Sequence, residues 1–236
     1  WTGRTPAGIP MVPDELTEAA FYGREDVATL LDEGKVPLGL DLETVEPVTW
    51  ELKKGNLLYL TDKEEQMIQF VKQIAHSKQK VIVLAPAYNE LPEMEGVTIL
   101  STKEDYVAGI KKMEENIQLR LEQQKSQHEA TIVLYNQLEL MNDLSMDLQS
   151  SLNYVLEKGA RAGYATVAMS GSQLNRKIDE VSKSIKLYKQ AIVAMRITDQ
   201  SVLNVINRPV REEPLDSQVN YYVEDGFVRK VKVLMK

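Results

Sequence analysis

The sequence contains no cysteine, and this absence excludes several kinds of site at once. Without thiols there is no disulfide framework, no cysteine-ligated zinc and no thiol nucleophile. Histidine is almost absent too: His76 and His128 are the only two, and neither has a metal-ligating residue three or four positions away. We therefore interpret both histidines as solvated helix residues.

The chain also lacks a long apolar run and an excess of positive charge. No stretch approaches the roughly 18 apolar residues of a membrane-spanning helix, and no signal peptide is visible. Lys and Arg number 28 against 35 Asp and Glu, and the resulting net charge of −7 argues against a nucleic-acid partner. The 236 residues, 43% of them apolar, suffice for one large domain or two small ones.

The start of the chain differs in composition from the rest. Residues 1–13 hold three prolines and two glycines, which is typical of a linker, and the first residue is Trp1 rather than methionine. We expect residues 1–22 to be a linker or N-terminal extension of a longer protein. Residues 23–236 are expected to form a single domain.

Short apolar runs alternate with amphipathic stretches along most of the sequence. Buried strands are predicted near residues 36–41, 48–52, 56–60, 80–85, 97–100, 131–135, 164–169 and 191–197. Helices are predicted near residues 62–77, 101–127, 148–159 and 200–206. Apolar strands separated by helices predict an α/β fold with a mainly parallel sheet and helices on both faces. Glu224-Asp225-Gly226 predicts a C-terminal hairpin, and the chain's ends add an antiparallel element.

Residues 55–68, GNLLYLTDKEEQMI, read as a strand, a tight loop and a long helix. P-loop ATPases place their phosphate cradle in such a unit. Its pattern G-x-x-x-x-G-K-[ST] supplies backbone amides, a lysine for the phosphates and a hydroxyl for magnesium. No match to that pattern occurs in this segment.

Several segments, taken in order and spacing, resemble the FtsK/SpoIIIE-like ATPase domains. They span nearly the whole chain: VPLGLDLETVEPVTWEL, GNLLYL, TIVLYNQLEL, EKGARAGYATVAMSGS, AIVAMRITDQSV and NYYVEDGFVRKVKV. The resemblance is strongest to the third and last such domain of the membrane coupling proteins of type VIIb secretion systems. It implies a P-loop NTPase-like fold of the RecA/FtsK type.

The resemblance also implies degenerate nucleotide motifs. Carried over without gaps, the two glycines, the lysine and the hydroxyl of the Walker A motif fall on Thr61, Gln66, Met67 and Ile68. The strand that should end in the magnesium-binding acid of the Walker B motif reads Tyr135-Asn136 instead. We therefore expect no nucleotide cofactor, no metal and no catalytic residue in this domain.

The chemistry of the segment agrees with loss of the motif. Thr61 and Glu64 have capping-box spacing, so the helix could satisfy its own first amides. Asp62, Glu64 and Glu65 put negative charge at the positive end of the helix, where it would repel a triphosphate. Met67 falls on the apolar face, where an unpaired lysine would be costly. The alternative is a well-capped helix of an unrelated α/β protein.

Three other groups of residues invite a chemical interpretation. Glu139, Asp143 and Asp147 recur at four-residue spacing and could ligate a metal, although a solvated helix face is the simpler explanation. The sequence 170–172, Ser-Gly-Ser, lacks the G-x-S-x-G pattern, so we expect a loop leading into a helix rather than a nucleophile turn. Arg196 is expected within the last apolar strand, reaching a carboxylate or the surface.

Two segments near the C-terminus are open to two interpretations each. Residues 175–190 are locally basic, through Arg176, Lys177, Lys183, Lys186 and Lys189. They form either a solvated helix or a docking surface for an acidic partner. The apolar residues of segment 202–206 are more typical of core than of a partner surface.

Two functions of different classes follow. The first is a nucleotide-independent module for substrate recognition or regulation in a type VII secretion coupling ATPase. The resemblance then implies secreted WXG100-type substrates, related effectors and neighbouring ATPase domains as partners, within a hexameric protein at the cytoplasmic face of the membrane. The alternative is an atypical ATPase that powers protein secretion; the missing lysine and hydroxyl favour the first function.

Overall fold

The computed structural model describes residues 11–86 and 91–234. The strands are β1 (Val36–Asp41), β2 (Pro47–Trp50), β3 (Leu57–Leu60), β4 (Val81–Leu84), β5 (Val97–Leu100), β6 (Ala130–Leu134), β7 (Tyr164–Ser170), β8 (Gln190–Val193), β9 (Val219–Glu224) and β10 (Phe227–Lys232). The α-helices are α1 (Glu18–Tyr22), α2 (Glu25–Asp32), α3 (Glu64–Ala75), α4 (Lys103–Glu122), α5 (Gln137–Asp143), α6 (Met146–Lys158) and α7 (Glu180–Lys186). None of the helices in these ranges is long and apolar enough to cross a membrane.

All ten strands form one sheet in the order β2-β1-β10-β9-β8-β3-β7-β6-β4-β5. The six strands from β8 to β5 run parallel, and β9, β10, β1 and β2 extend the sheet antiparallel. The parallel strands are apolar because helices cover both of their faces. This confirms the predicted α/β fold with a mainly parallel sheet and an antiparallel element from the chain's ends.

Alternate side chains of β3 serve opposite faces of the sheet, as the two-residue period of a strand requires. Leu57 and Tyr59 belong to a core shared with α3, whereas Leu58 and Leu60 belong to a core shared with α4, α6 and α7. All four are buried. Each such leucine stabilises the fold by about 1.5–3 kcal/mol relative to an exposed position. Burial on both faces therefore fixes β3 and the loop that follows it.

The C-terminal hairpin is confirmed. Asp225 and Gly226 connect β9 to β10 with φ angles of 49° and 86°, both in the left-handed region. Two such residues make the turn whose twist suits a two-residue hairpin.

Part of the expected N-terminal extension packs onto the domain. Leu16 and Phe21 are buried beside Leu40 and Leu234. The main chain of Leu16 is held on both sides by Gln218, which accepts its N–H at 3.1 Å and donates to its carbonyl at 3.3 Å. The division of the chain after residue 22 stays a prediction, and residues 1–10 lie outside the described ranges.

The predicted helix at residues 200–206 is wrong. The side-chain oxygen of Gln200 accepts the N–H of Leu203 at 2.8 Å, and the N–H of Ile206 donates to the carbonyl of Gly226 at 2.8 Å. These bonds hold the segment as a series of bends beside the hairpin. Its other apolar residues are partly buried against the core, whereas Ile206 is exposed.

Candidate functional site

The candidate nucleotide site lies at the carboxyl edge of the parallel strands. Leu60, the last residue of β3, is paired with Ser170 of β7 and Val193 of β8. The next strand beyond β7 is β6, which ends at Leu134. Ligands of open α/β sheets bind at this edge. The structure thus brings the carried-over Walker A and Walker B positions to one edge of the sheet.

The connection from β3 to α3 is only three residues long, Thr61 to Lys63. The Walker A pattern has five positions before its second glycine. In the gap-free placement, two of those five positions and the second glycine position itself, Gln66, already lie in the first turn of α3. Their amides therefore belong to the first turn of the helix and not to a loop.

The predicted capping box between Thr61 and Glu64 is wrong, because the side chain of Thr61 pairs with Gln66. Lys63 is the N-cap of α3, and no side chain caps the helix there. Thr61 lies two residues before this N-cap, so its hydroxyl accepts the N–H of Lys63 at 3.1 Å and donates to Oε1 of Gln66 at 2.5 Å. Thr61 is fully buried and Gln66 is 9% exposed. The buried polar groups at the site satisfy one another.

The carried-over lysine position and Tyr135, the first of the two Walker B positions, lie in one apolar cluster. Met67, at the lysine position, is 6% exposed and belongs to the α3-side core, together with Phe70 and Tyr135. Tyr135, which precedes the Walker B tip residue, is fully buried, and Ile68, at the hydroxyl position, is partly buried against the same cluster. An ammonium or carboxylate at these depths would lose its hydration without a partner of opposite charge.

Asn136 holds the tip of β6 in an unusual conformation. Its φ is 47°, a left-handed value that asparagine tolerates better than most residues. Its amide donates to Oε2 of Glu139 at 2.8 Å, so this carboxylate is engaged by the N-cap residue of its own helix.

The predicted acidic stripe is divided between two helices. Glu139 and Asp143 are on α5, whereas Asp147 is on α6, after a break at residues 144–145. Asp143 accepts the hydroxyl of Tyr106 at 3.0 Å, and burial together with this carboxylate raises the pKa of Tyr106 to about 12. In the described ranges no group of three or more His, Asp or Glu residues could hold a metal ion.

A contact that the sequence did not reveal joins the loops after β3 and β7. Oδ1 of Asp62 accepts the N–H of Ser172 at 2.8 Å. A Cβ on Gly171 would lie 2.5 Å from the same oxygen, so a side chain at this position would have to displace the Asp62 carboxylate. Its signal in the sequence is the Ser-Gly-Ser run, whose glycine marks a close approach rather than a nucleophile.

The rest of that run confirms a loop leading into a helix. Residues Ser172–Arg176 form a 3-10 helix. The hydroxyl of Ser170 donates to Gln137 at 3.2 Å, and Gln137 donates to Ser182 at 3.2 Å. All three are fully buried. Ser170 is part of a structural hydrogen-bond chain and has no histidine near it for activation.

The charge at the start of α3 is acidic on its outer side. Glu64 and Glu65 occupy the first turn and are exposed. They favour the positive end of the helix dipole and oppose an approaching phosphate. The expected acidic first turn is therefore present for Glu64 and Glu65, whereas Asp62 precedes the N-cap Lys63 and lies outside the helix.

Arg196 and His128 differ from their predicted settings, whereas His76 is the exposed helix-end residue that was expected. β8 ends at Val193, so Arg196 is outside the strand and pairs with Asp199 at 2.8 Å. His76 is an exposed helix-end residue whose ring stacks on Tyr22 at 4.4 Å. His128 lies beyond α4 and is half-buried, and burial lowers its pKa. Reaching a carboxylate is confirmed for Arg196, and the solvated-helix interpretation is wrong for His128.

No known protein-family profile matches the chain. Two curated relatives do: "Type VII secretion system protein EssC" of Staphylococcus aureus (strain MRSA252), 25% identical over 244 residues, and "ESX secretion system protein YukB" of Bacillus subtilis (strain 168), 26% identical over 263 residues. The matches cover 99% and 97% of this chain. The chain spans only 16% of the length of each relative.

Solved structures share the fold. The structure of EssC (ATPases 2 and 3) from Geobacillus thermodenitrificans superposes with a TM-score of 0.84 at 19% identity, covering 96% of this chain and 45% of that one. Thermomonospora curvata EccC (ATPases 2 and 3), in complex with a signal sequence peptide, superposes with a TM-score of 0.70 at 15% identity, covering 100% and 46%. The chain is therefore similar along nearly its whole length to EssC and YukB, and it shares the fold of about half of each of these two solved structures, which contain ATPases 2 and 3 of EssC and EccC.

Proposed function

We propose that this domain binds no nucleotide and serves as a recognition or regulatory module of a type VII secretion coupling ATPase. The observation that carries the proposal is the hydrogen bond between Thr61 and Gln66, which lies where the fold would hold phosphate. Both side chains are buried, and their polar atoms satisfy each other. A phosphate could enter only by breaking this pair and lengthening the loop.

Two further features support the loss of nucleotide binding. Magnesium would need a carboxylate at the tip of β6, where Asn136 offers an uncharged amide that is bonded to Glu139. The γ-phosphate would need a cation at the lysine position of the motif, where Met67 is buried in the apolar core. Lys63 is exposed at the N-cap of α3, next to the exposed Glu64 and Glu65. Neither positioning nor charge stabilisation of phosphoryl transfer is available from these residues.

The partners follow from the relatives. EccC of Thermomonospora curvata, with ATPases 2 and 3, has been solved with a signal sequence peptide bound. By analogy, this domain would recognise secreted WXG100-type substrates and related effectors, and would contact neighbouring ATPase domains of a hexameric chain. It would lie at the cytoplasmic face of the membrane.

An atypical ATPase is the second candidate, and the shared fold with proteins named as ATPases favours it. In that case the missing cation and acid would have to come from a neighbouring domain. The two candidates differ in whether ATP changes the affinity of this domain for its partner.

Calorimetric titration of a purified WXG100-type substrate into the chain, with and without Mg-ATP, separates them. We expect saturable heat and a dissociation constant that changes less than about twofold when Mg-ATP is added, a difference below about 0.4 kcal/mol. A change of tenfold or more would favour the ATPase. Absence of substrate heat in both titrations would move the role from recognition to regulation of neighbouring domains.

A further inference from the structure

We infer that an exposed surface beside α7 is a docking site for an acidic, amphipathic helix of a partner protein. We call it the basic–apolar patch, and it consists of Arg176, Lys177, Ile178, Lys183 and Leu187. The inference deepens the proposed recognition role and rests on it.

The two parts of the patch, a loop and a helix, are held together. Nζ of Lys186 donates to the carbonyl oxygens of Asn175 and Lys177, at 3.0 Å and 2.5 Å. Leu174 is fully buried and anchors the loop from below. The amide of Asn175 donates to Ser201 at 2.8 Å. Lys186 therefore holds the segment at residues 175–177 against α7, and Ile178 follows that segment, directly before the N-cap Asp179.

The helix turns its remaining patch residues outwards. Val181, Ser182 and Ile185 form the buried face of α7. Lys183 and Leu187 are four residues apart, so they share a face of the helix that is not the buried one. Leu187 directly follows Lys186, whose ammonium touches the loop.

The apolar members of the patch are unusually exposed. Ile178 is 82% and Leu187 is 79% exposed, although most large aliphatic side chains of the described residues are buried. A single exposed aliphatic residue is ordinary, but Ile178 and Leu187 lie at the two ends of the seven-residue α7, so a partner segment laid along this helix would cover both. Arg176 and Lys177 precede Ile178, and Lys183 lies between the two aliphatic residues in the sequence.

The charge of the patch opposes that of the rest of the chain. Residues 175–190 contain five Lys or Arg and two Asp or Glu, a net charge of +3, whereas the whole chain carries −7, which leaves −10 for all other residues. Glu180 pairs with Lys183 at 2.7 Å, but both side chains are more than half exposed, so the pair is weak and exchangeable. The local positive charge therefore favours an acidic partner at this patch.

The exposed Ile178 and Leu187 distinguish a protein partner from a nucleic acid. A phosphate backbone would use the cations and leave both aliphatic side chains in water. A helix with an acidic edge and an aliphatic stripe would cover both kinds of residue at once.

The test uses a synthetic helical peptide with glutamate along one edge and leucine along the adjacent stripe, titrated into the chain at low salt by fluorescence anisotropy. We expect saturable binding that weakens by about tenfold or more in R176E/K183E and by about threefold or more in I178S/L187S. The matched control is K111E/K112E, which changes the net charge equally on the exposed side of α4 and should alter binding less than about twofold. Circular dichroism verifies that every variant is folded.

Three outcomes would overturn the inference: no saturable peptide binding to the unchanged chain, equal weakening in the control, or no effect of I178S/L187S. Binding of single-stranded DNA as tight as that of the peptide would also overturn it, in favour of a general anion surface. These outcomes are separate from failure of the proposed function, which a Mg-ATP titration reveals independently. If ATP binds tightly and the peptide results are as expected, the inference about the patch holds, whereas the proposal that the domain works without nucleotide fails.

Discussion

The hydroxyl of Thr61 donates a hydrogen bond to the side-chain oxygen of Gln66, at 2.5 Å, across the start of α3. The same hydroxyl accepts the N–H of Lys63, so one buried threonine serves both the loop and the helix. In a phosphate cradle the corresponding backbone would point its amides at an anion. Here a side chain of the protein itself completes the hydrogen bonding at this edge of the sheet.

Thr61→Val should destabilise the chain by about 1–3 kcal/mol, because it leaves polar groups of Gln66 and Lys63 without their partner. The double variant T61V/Q66L should lose less than the sum of the two single variants, since both ends of the bond are then apolar. Urea unfolding, followed by circular dichroism, measures all three. Additive losses would show that the two side chains do not depend on each other.

Gly171→Ala should destabilise the chain by about 1–3 kcal/mol, because its Cβ would lie 2.5 Å from Oδ1 of Asp62. The loss should be smaller in a D62A background, where the carboxylate is absent. The unfolding free energies of the unchanged chain, G171A, D62A and G171A/D62A together give the coupling between the two loops. An equal cost in both backgrounds would mean that the close approach does not involve Asp62.

Met67→Lys should be strongly destabilising, by about 3 kcal/mol or more, because the ammonium would enter the apolar core without a partner. Met146→Lys is the matched control: Met146 is 84% exposed, so the same substitution should change stability by no more than about 0.5 kcal/mol. Chemical denaturation of both variants provides the comparison. Similar stabilities of the two would contradict the burial of the lysine position.

Glu212 should make stability depend on acid pH. Burial raises its pKa, but hydrogen bonds from the main chain of Ile197 and Thr198 and from the Thr198 and Tyr221 hydroxyls outweigh burial, so the pKa lies below its ordinary value of 4.5. The lowered pKa contributes stability above about pH 4.5, which is lost as pH falls through the folded-state pKa.

Glu212→Gln should remove this contribution, so the difference from the unchanged chain should shrink as pH falls below about 4.5. Glu213→Gln, at the exposed neighbouring position, is the control and should show a smaller effect. Thermal unfolding at a series of pH values measures both. A difference for Glu212→Gln that stays constant with pH would contradict the role of its hydrogen bonds.

The sequence was sufficient for the strands of the parallel sheet and for the hairpin at Asp225-Gly226, because apolar runs and turn residues are local signals. It was not sufficient for segment 200–206. Its apolar residues have helical spacing, but the main-chain bond from Ile206 to Gly226 depends on a neighbour in space. Strand order depends on such long-range pairing as well.

The candidate site likewise has some features that are visible in the sequence and others that depend on the folded structure. The absence of glycine, lysine and hydroxyl at the Walker A positions is visible in the sequence, and so is the acidic first turn of α3. The pairing of Thr61 with Gln66 instead of Glu64 was not, since it depends on where the N-cap falls after a three-residue loop. The contact of Asp62 with Ser172 joins residues 110 positions apart and has no local signal beyond Gly171.

Calorimetric titration of Mg-ATP into the chain tests the central claim most directly. We expect no saturable heat from the unchanged chain or from Q66G/M67K/I68T, because the short loop and the acidic first turn remain in that variant. Binding tighter than about 0.1 mM, which corresponds to roughly 5.5 kcal/mol, would contradict the account and place an ATP site in this domain.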